Sequence, residues 1–202
     1  MRSALPTLSL LLTLAAAPLA AQADEDCASL FTALYAHDAG RDYPVATATT
    51  RTAPDGTATV IRTISLARDR HYATLEDGLM MRTMGLEQAV SEDGGETWKV
   101  ERTLPEGHWE TFETLLAKAA DTATHVTCTD DVRYYGKTYR KVSADLVVQV
   151  PVPNLQVHQD FYLDADGNIS ATETELTAGS QTAHSVEIVT ARGDEVELPA
   201  AE

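Results

Sequence analysis

The chain has 202 residues, of which 44% are hydrophobic and 23% charged, and its 31 acidic against 15 basic residues give a formal net charge of -16. This length and apolar content suffice for one packed domain and exclude a disordered acidic tail. Because so negative a chain repels the phosphates of nucleic acid, the composition also argues against nucleic acid as a partner.

The first 23 residues carry the three parts of a cleaved export signal. Arg2 supplies the positive charge, residues 8–17 form an apolar run, and residues 21–23 match the A-x-A cleavage site. The apolar run is too short to cross a bilayer as a helix. We therefore expect residues 1–23 to be a signal peptide and residues 24–202 to form a single soluble domain in the periplasm.

Two segments place apolar residues on one helical face, at intervals of three and four residues. The first covers residues 27–39, with Asp26 as the predicted N-cap and Gly40 as the predicted stop. The second covers residues 108–120 and follows a break at Gly107. The sequence thus predicts two amphipathic helices.

Elsewhere hydrophobicity alternates with a period of two, which is typical of antiparallel strands with one dry and one wet face. The clearest strands cover residues 140–150 and 155–163. On the second of these, His158, Asp160 and Tyr162 are predicted on the wet face. Turn signals separate the alternating runs, giving about five strands before the second helix and about five after it. Strands and helices do not alternate, so the predicted fold class is α+β rather than a parallel nucleotide-binding sheet.

The two cysteines, Cys27 and Cys128, are too far apart in sequence for a CxxC zinc or redox motif. In an exported chain an even number of cysteines favours a structural disulfide. The alternative is a pair of buried thiols that act as small apolar side chains.

Residues 91–98 match the Asp-box S-x-D-x-G-x-T-W of sialidase-like propellers at every specified position. In that motif the side chains of Ser91 and Asp93 bind the backbone of a tight turn, and Trp98 packs beneath it. The motif occurs once, whereas a propeller repeats it in blades of about 40 to 50 residues. We therefore expect a structural turn here, with glycan binding as the alternative.

Residues 164–168 and Glu175 match the oxygen-ligand spacing of an EF-hand calcium loop. However, Ile169 stands where that loop requires glycine, and the flanking residues are typical of strands rather than helices. The segment is therefore predicted to be a hairpin turn, and no metal site is predicted.

The sequence contains no local signature of catalysis. The histidines form no HxH, HExxH or HxxxH pair, and there is no GxSxG elbow. His158 and Asp160 share the wet face of a predicted strand, where solvated polar residues are far commoner than catalytic dyads. We expect a protein that is not an enzyme, with no catalytic residue and no cofactor, although scattered residues can still assemble a triad in a folded chain.

The order of the elements resembles that of a known family. A helix opens the chain, strands and a second helix follow, and the chain closes with short apolar runs at residues 186–189 and 196–199. The hairpin at residues 160–169 is similar to a strand–turn–strand unit of the outer-membrane lipoprotein carrier, or LolA-like, superfamily. This resemblance implies that the roughly ten strands form one curved antiparallel sheet, an incomplete β-barrel over the two helices, with an apolar concavity that receives acyl chains. It makes residues 24–202 one LolA-like domain.

We therefore expect a protein that binds a lipid, an acyl chain or a lipidated protein in this concavity. The predicted ligand contacts are the large apolar side chains on the dry faces of the two clearest strands: Val142, Leu146, Val148, Leu155, Val157, Phe161 and Leu163. The alternative is an interaction or structural module whose concavity is filled by Trp109, Phe112 and Leu116 of the second helix. An Asp-box glycan binder is a third alternative.

Overall fold

The computed structural model describes residues 19–149 and 155–198, which form two α-helices and one large antiparallel sheet. The predicted signal peptide lies mostly outside these residues, and so does the connection at residues 150–154. Cleavage of the signal stays a prediction. No helix in the described part of the chain is long and apolar enough to cross a membrane.

Helix α1 covers Leu19–Ala36 and helix α2 covers His108–Ala120. The strands before α2 are β1 Val45–Thr52, β2 Ala58–Ala67, β3 Arg70–Leu75, β4 Met80–Met84, β5 Glu87–Ser91 and β6 Lys99–Thr103. The strands after α2 are β7 Thr124–Tyr134, β8 Lys137–Val148, β9 Leu155–Leu163, β10 Ile169–Ala178 and β11 Gln181–Arg192. The described sheet thus has 11 strands, because six rather than five precede α2.

The strand order across the sheet is β6-β5-β4-β3-β2-β1-β11-β10-β9-β8-β7, and the paired strands are antiparallel. In the described sheet every pair of neighbouring strands except β1 and β11 is also consecutive in sequence. The described sheet is not closed, since β6 and β7 lie at its two edges. The predicted α+β class with an open antiparallel sheet is confirmed.

The turn between β7 and β8 shows how tightly these hairpins close. Tyr135 and Gly136 both have a positive φ, of 45° and 79°. Two consecutive residues of this kind are typical of the type I′ turn, whose twist matches that of the flanking strands. Tyr134 and Lys137 therefore face each other as the first pair of the ladder.

Helix α2 has the predicted bounds, but α1 does not. The predicted N-cap Asp26 lies inside α1, because the alanine-rich residues before it favour helix and contain no breaker. At its other end the helix stops at Ala36 rather than at Gly40. Asp38 already has a left-handed φ of 56°, so the chain leaves the helix before it reaches the glycine.

Gly40 instead allows the chain to pack closely on the turn between β9 and β10. A Cβ atom at this position would lie 3.0 Å from the carbonyl oxygen of Gly167 and 3.2 Å from a methyl group of Leu34. The Gly40 carbonyl also accepts a hydrogen bond from the amide of Ile169, at 2.7 Å. These contacts fix the segment after α1 against the sheet.

The core lies between the two helices and strands β7–β10. Phe31 of α1 is completely buried, and its ring packs on Phe161 of β9 with the ring centroids 5.8 Å apart. Ala119 of α2 and Val142 of β8 belong to the same buried cluster. The side of the sheet that packs against the helices is the inner face, and the opposite side is the outer face.

Cys27 of α1 and Cys128 of β7 form the predicted disulfide. Cys27 is buried in the core cluster, and Cys128 packs against it. The bridge ties α1 to an edge strand of the sheet. The prediction of a structural disulfide is confirmed, and the alternative of two buried thiols is wrong.

Candidate functional site

The predicted ligand contacts lie on the inner face of β8 and β9, beneath the helices. Five of them have between 0% and 5% of their surface exposed: Val142, Leu146, Val157, Phe161 and Leu163. The other two, Val148 and Leu155, are partly buried and pack against the same cluster. Because these side chains pack in the core, contact between a ligand and most of them requires the core to open. Their role as ligand contacts stays a prediction.

A cleft of about 560 Å³, the helix–sheet cleft, opens beside this core between the two helices and the inner face of the central strands. Its helix wall is largely apolar and includes Leu34 and Tyr35 of α1 and Phe112 and Leu116 of α2. Phe161 also borders this cleft. Of the predicted ligand contacts, Phe161 is therefore the one that the structure places at the cleft.

The apolar side chains of α2 do not all pack in the same way. Trp109 donates a hydrogen bond from Nε1 to the carbonyl oxygen of Gly85, at 2.8 Å, and so anchors α2 to the turn between β4 and β5. Phe112 packs edge-on against Trp109, with the ring centroids 6.1 Å apart, but remains 38% exposed. Phe112 and Leu116 therefore line the cleft without filling it.

The sheet side of the cleft, its floor, is polar. Because side chains alternate between the two faces of a strand, Thr49 and Arg51 of β1 share the inner face. Thr49 lies opposite Glu187 of β11, which in turn lies opposite Thr172 of β10. Further hydroxyl side chains also line the cleft: Thr63, Ser65, Thr174 and Ser185.

Arg41 lies beside this floor and is fixed by two carboxylates. Its Nη2 is 2.7 Å from Oε1 of Glu187, and its Nε is 3.0 Å from Oδ1 of Asp38. Although burial opposes the charge, Glu187 and then Asp38 raise the pKa of Arg41 above its ordinary value. The hydroxyl of Tyr43 donates to Asp38, and burial together with this hydrogen bond raises the pKa of Tyr43. Arg41, Asp38, Glu187 and Tyr43 therefore form one bonded network beside the floor.

Arg68, in the turn between β2 and β3, bridges the sheet to both helices. Its Nη1 donates a hydrogen bond to the carbonyl oxygen of Ala36 at the end of α1, at 3.3 Å. The same nitrogen lies 3.8 Å from Oε1 of Glu113 on α2. A cation is favourable at the carbonyl end of a helix. Arg68 therefore helps to hold the helix wall over the polar floor.

The sequence analysis did not identify the polar residues of this cleft. The available signal was the alternation of hydroxyl side chains along β1 and β10, for example Thr47 with Thr49 and Thr172 with Thr174. This alternation predicts a strand with a polar face. The sequence pattern of such a face is the same whether the face lies against bulk solvent or lines a cleft. Arg41, at the border of the cleft, has no such pattern around it.

The outer face carries a second polar cluster, on β7, β8 and β9. The Nδ1 atoms of His125 and His158 lie 3.0 and 2.6 Å from the two carboxylate oxygens of Asp145. The hydrogen bond from His158, followed by that from His125, lowers the pKa of Asp145. The nearby hydroxyl of Ser143 donates to Asp160 rather than to a histidine. No group of three or more His, Cys, Asp or Glu side chains in residues 19–149 and 155–198 is arranged to hold a metal ion.

Asp160 and Tyr162 were predicted on a wet face, and that prediction is wrong. Their exposed fractions are 7% and 5%. Tyr134 stacks on Tyr162 with the ring centroids 3.9 Å apart, and Ser143 and Lys141 bind the carboxylate of Asp160. Long polar and aromatic side chains of neighbouring strands thus close over this part of the outer face.

The Asp-box segment forms the predicted turn between β5 and β6. Asp93 accepts hydrogen bonds from the amide of Thr97, at 2.9 Å, and from the hydroxyl of the same residue, at 2.6 Å. The hydroxyl of Ser91 accepts a hydrogen bond from the amide of Gly95, at 2.8 Å. The polar side chains of the motif are therefore used within the turn, as the structural interpretation requires.

The carboxylate of Asp93 gives this turn a pH dependence. Hydrogen bonds from Thr97 and Ser91 lower the pKa of Asp93 to about 2, from an ordinary value of 3.8. A carboxylate whose pKa is lower in the folded state stabilises the fold above its unfolded-state pKa, and this contribution is lost as the pH falls through the folded-state pKa. Asp93→Ala is therefore expected to lower the unfolding temperature at about pH 5, with the difference from wild type shrinking as the pH falls from about 4 towards 2.

Asp166→Ala is the matched control for this prediction. It removes the same charge from the turn between β9 and β10, where Asp164 rather than Asp166 accepts the backbone hydrogen bonds. Thermal unfolding followed by circular dichroism across this pH range compares the three proteins. A difference for Asp93→Ala that is the same at every pH would contradict the role given to the carboxylate.

Residues 164–168 form the predicted hairpin turn. Oδ1 of Asp164 accepts hydrogen bonds from the amides of Asp166 and Asn168, at 3.1 and 2.9 Å. Its Oδ2 accepts one from Nη1 of Arg192, at 2.7 Å. Both oxygens of this carboxylate therefore accept hydrogen bonds from within the protein.

Comparison with known proteins finds similarity in fold alone. No protein-family model matches the chain, and no curated protein matches it. The crystal structure of the LolA superfamily protein NE2245 from Nitrosomonas europaea is similar with a TM-score of 0.33 and 9% identity, over 84% of this chain and 92% of that chain. The crystal structure of the hypothetical lipoprotein YmcC from Escherichia coli (K12) is similar with a TM-score of 0.34 and 11% identity, over 75% of this chain and 90% of that chain. A LolA-like domain at residues 24–202 stays a prediction.

Proposed function

We propose that the protein is an exported binding protein, not an enzyme, that holds a lipid, an acyl chain or the acylated segment of a partner in the helix–sheet cleft. The observation that carries this proposal is the apolar helix wall, on which Phe112 is 38% exposed beside Leu116. The disulfide between Cys27 and Cys128 supports export, because disulfides persist in oxidising compartments such as the periplasm.

The size of the cleft and the composition of its wall suit an acyl chain. Its volume of about 560 Å³ falls within the range of about 300–1,000 Å³ that is usual for ligand sites. Fully burying a large apolar side chain is worth about 1.5–3 kcal/mol. Phe112 and Leu116 are already partly buried, so each would gain a fraction of that value from a ligand. An apolar chain that binds along α2 would bury these two side chains further, whereas a wholly polar ligand would not.

The ligand contacts predicted from sequence extend this site inward. Phe161 already borders the cleft, whereas Val142 and Leu146 lie beneath the helices. We place the first contacts of the ligand at Phe112, Leu116 and Phe161. The remaining predicted contacts form a deeper extension that a chain reaches when α1 or α2 moves away from the sheet.

Phe112→Asp tests this site with a neutral fluorescent acyl probe, which avoids charge repulsion between probe and variant. The new carboxylate meets solvent in the unliganded protein but faces the bound chain. We expect the affinity for the probe to fall by about tenfold or more, while the protein stays folded. Val100→Asp is the matched control, because it adds the same charge at a side chain that is 49% exposed on the edge strand β6.

A second candidate function is an interaction or structural module that has no lipid ligand. It is supported by the burial of Val142 and Leu146, whose exposed fractions are 0% and 2%. Native mass spectrometry of protein purified without detergent separates the two functions. A wild-type chain that carries no added lipid mass and binds no acyl probe would contradict the first function and support the second.

A further inference from the structure

The arginines of the helix–sheet cleft stand out in so acidic a chain. Arg41, Arg51 and Arg68 all line this cleft, although the chain has 15 basic against 31 acidic residues. Among the described residues that line it, two are acidic, Asp38 and Glu187. The lining of the cleft therefore has a net positive charge on a protein whose total charge is strongly negative.

Two of these arginines are compensated by the two carboxylates. Arg41 contacts Asp38 at 3.0 Å and Glu187 at 2.7 Å. Arg68 lies 3.8 Å from Asp38. Arg51 is exposed, and it forms no ion pair with any residue in the described part of the chain. The uncompensated positive charge of the cleft is therefore that of Arg51.

Hydroxyl groups lie next to Arg51 on the floor. Arg51 is directly opposite Ser185 of β11 and two residues from Thr49, and all three line the cleft. The nearby carboxylate of Glu187 is occupied, since its Oε1 binds Arg41 and its Oε2 accepts from the Thr49 hydroxyl at 3.4 Å. Because Arg41 already pairs with Glu187, this carboxylate repels an anion bound at Arg51 less than an unpaired carboxylate would.

We infer that the ligand of the cleft carries an anionic headgroup, a phosphate or a carboxylate, that binds the guanidinium of Arg51. This inference rests on the proposed function, since it sets the headgroup on the polar floor while the chain lies against Phe112 and Leu116. A guanidinium donates two parallel hydrogen bonds to an oxyanion of either kind. The hydroxyl of Ser185 is placed to donate another. An amphiphile of this kind uses both sides of the cleft.

Arg51→Gln tests the inference with a matched pair of amphiphiles. A lysophospholipid with a phosphate monoester headgroup and a monoacylglycerol with the same acyl chain differ mainly in headgroup charge. We expect the variant to bind the phosphate-bearing amphiphile about tenfold more weakly than wild type does, and the neutral one equally well. Isothermal titration calorimetry below the critical micelle concentration measures both.

Arg62→Gln is the matched control. It removes the same charge from β2, but Arg62 is exposed and lies opposite Ala48, on the outer face. We expect it to bind both amphiphiles as wild type does. A loss of affinity for the phosphate-bearing amphiphile that is equal in Arg51→Gln and Arg62→Gln would trace the effect to total charge and overturn the inference.

The remaining outcomes separate the inference from the proposed function. If wild type binds both amphiphiles with equal affinity and Arg51→Gln changes neither, the headgroup inference is wrong and the proposed function stands. If neither amphiphile binds, the proposed function is wrong. Inorganic phosphate is the third probe: phosphate that binds as tightly as the lysophospholipid, and is lost in Arg51→Gln, would assign Arg51 to a free oxyanion and overturn the lipid headgroup.

Discussion

Removal of the disulfide between Cys27 and Cys128 is expected to lower the free energy of unfolding by about 4 to 5 kcal/mol. The bridge joins residues that are 101 positions apart, and in the chain-entropy model a loop of this length strongly restricts the unfolded chain. In the folded state the bridge holds α1, with its buried Phe31, against β7. Urea denaturation of the double variant Cys27→Ala/Cys128→Ala, compared with the oxidised wild type, measures the loss.

Reductant supplies the control for this experiment. Wild type that has been fully reduced is expected to unfold at nearly the same urea concentration as the double variant, whereas reductant is expected to leave the double variant unchanged. A double variant whose urea midpoint equals that of the oxidised wild type would show that the bridge does not stabilise the fold.

Val157→Asp is expected to prevent folding, in contrast to Phe112→Asp. Val157 is 4% exposed on the inner face of β9, in a cluster made of apolar side chains. A carboxylate introduced there would lie among apolar side chains of the core, and burying a charge in such surroundings is among the most destabilising changes that a single substitution makes. A loss above about 4 kcal/mol is a large part of the 5–15 kcal/mol that stabilises a typical domain.

Val157→Ala is the matched control, because it shortens the same side chain without adding a charge. We expect it to fold with a lower unfolding temperature. Circular dichroism and thermal unfolding of the two Val157 variants and of Phe112→Asp measure the contrast. A Val157→Asp protein that folds normally and loses only acyl binding would show that the inner face of β9 is an open ligand surface rather than core.

Strong periodicity explains which elements could be predicted from the sequence. Helix α2 and strand β9 have the predicted bounds, because each has a regular apolar face. The face of β9 lies in the core, whereas that of α2 lines the helix–sheet cleft and reaches the core at Ala119. Strand β6 shows the opposite case: all of its residues are exposed, so no face of Lys99–Thr103 had to be apolar. The start of α1 was missed because a good N-cap residue, Asp26, lies within a longer run of helix-forming residues.

The cleft could not be predicted, since its residues meet through contacts that are distant in sequence. Arg41 binds Glu187 from 146 positions away, and Thr49 reaches the same carboxylate from 138. No local pattern encodes which strands pair, so nothing marked Arg51 as different from an arginine in solvent. The buried Asp160 illustrates the same limit on the outer face, where the side chains of neighbouring strands decide whether a polar residue meets water.

The pairing of β1 with β11 also has a consequence for how the chain folds. Strands β1–β6 form one meander and strands β7–β11 another, each built from hairpins between neighbours in sequence. One seam joins them, in which Val45 faces Arg192 and Thr52 faces His184. Local hairpins form quickly, whereas pairing of distant segments has a large loop-closure cost and slows folding. Pairing of β1 with β11 thus joins the two meanders into one sheet. Because Arg51 and Ser185 face each other across this seam, the polar floor forms only when the two strands have paired.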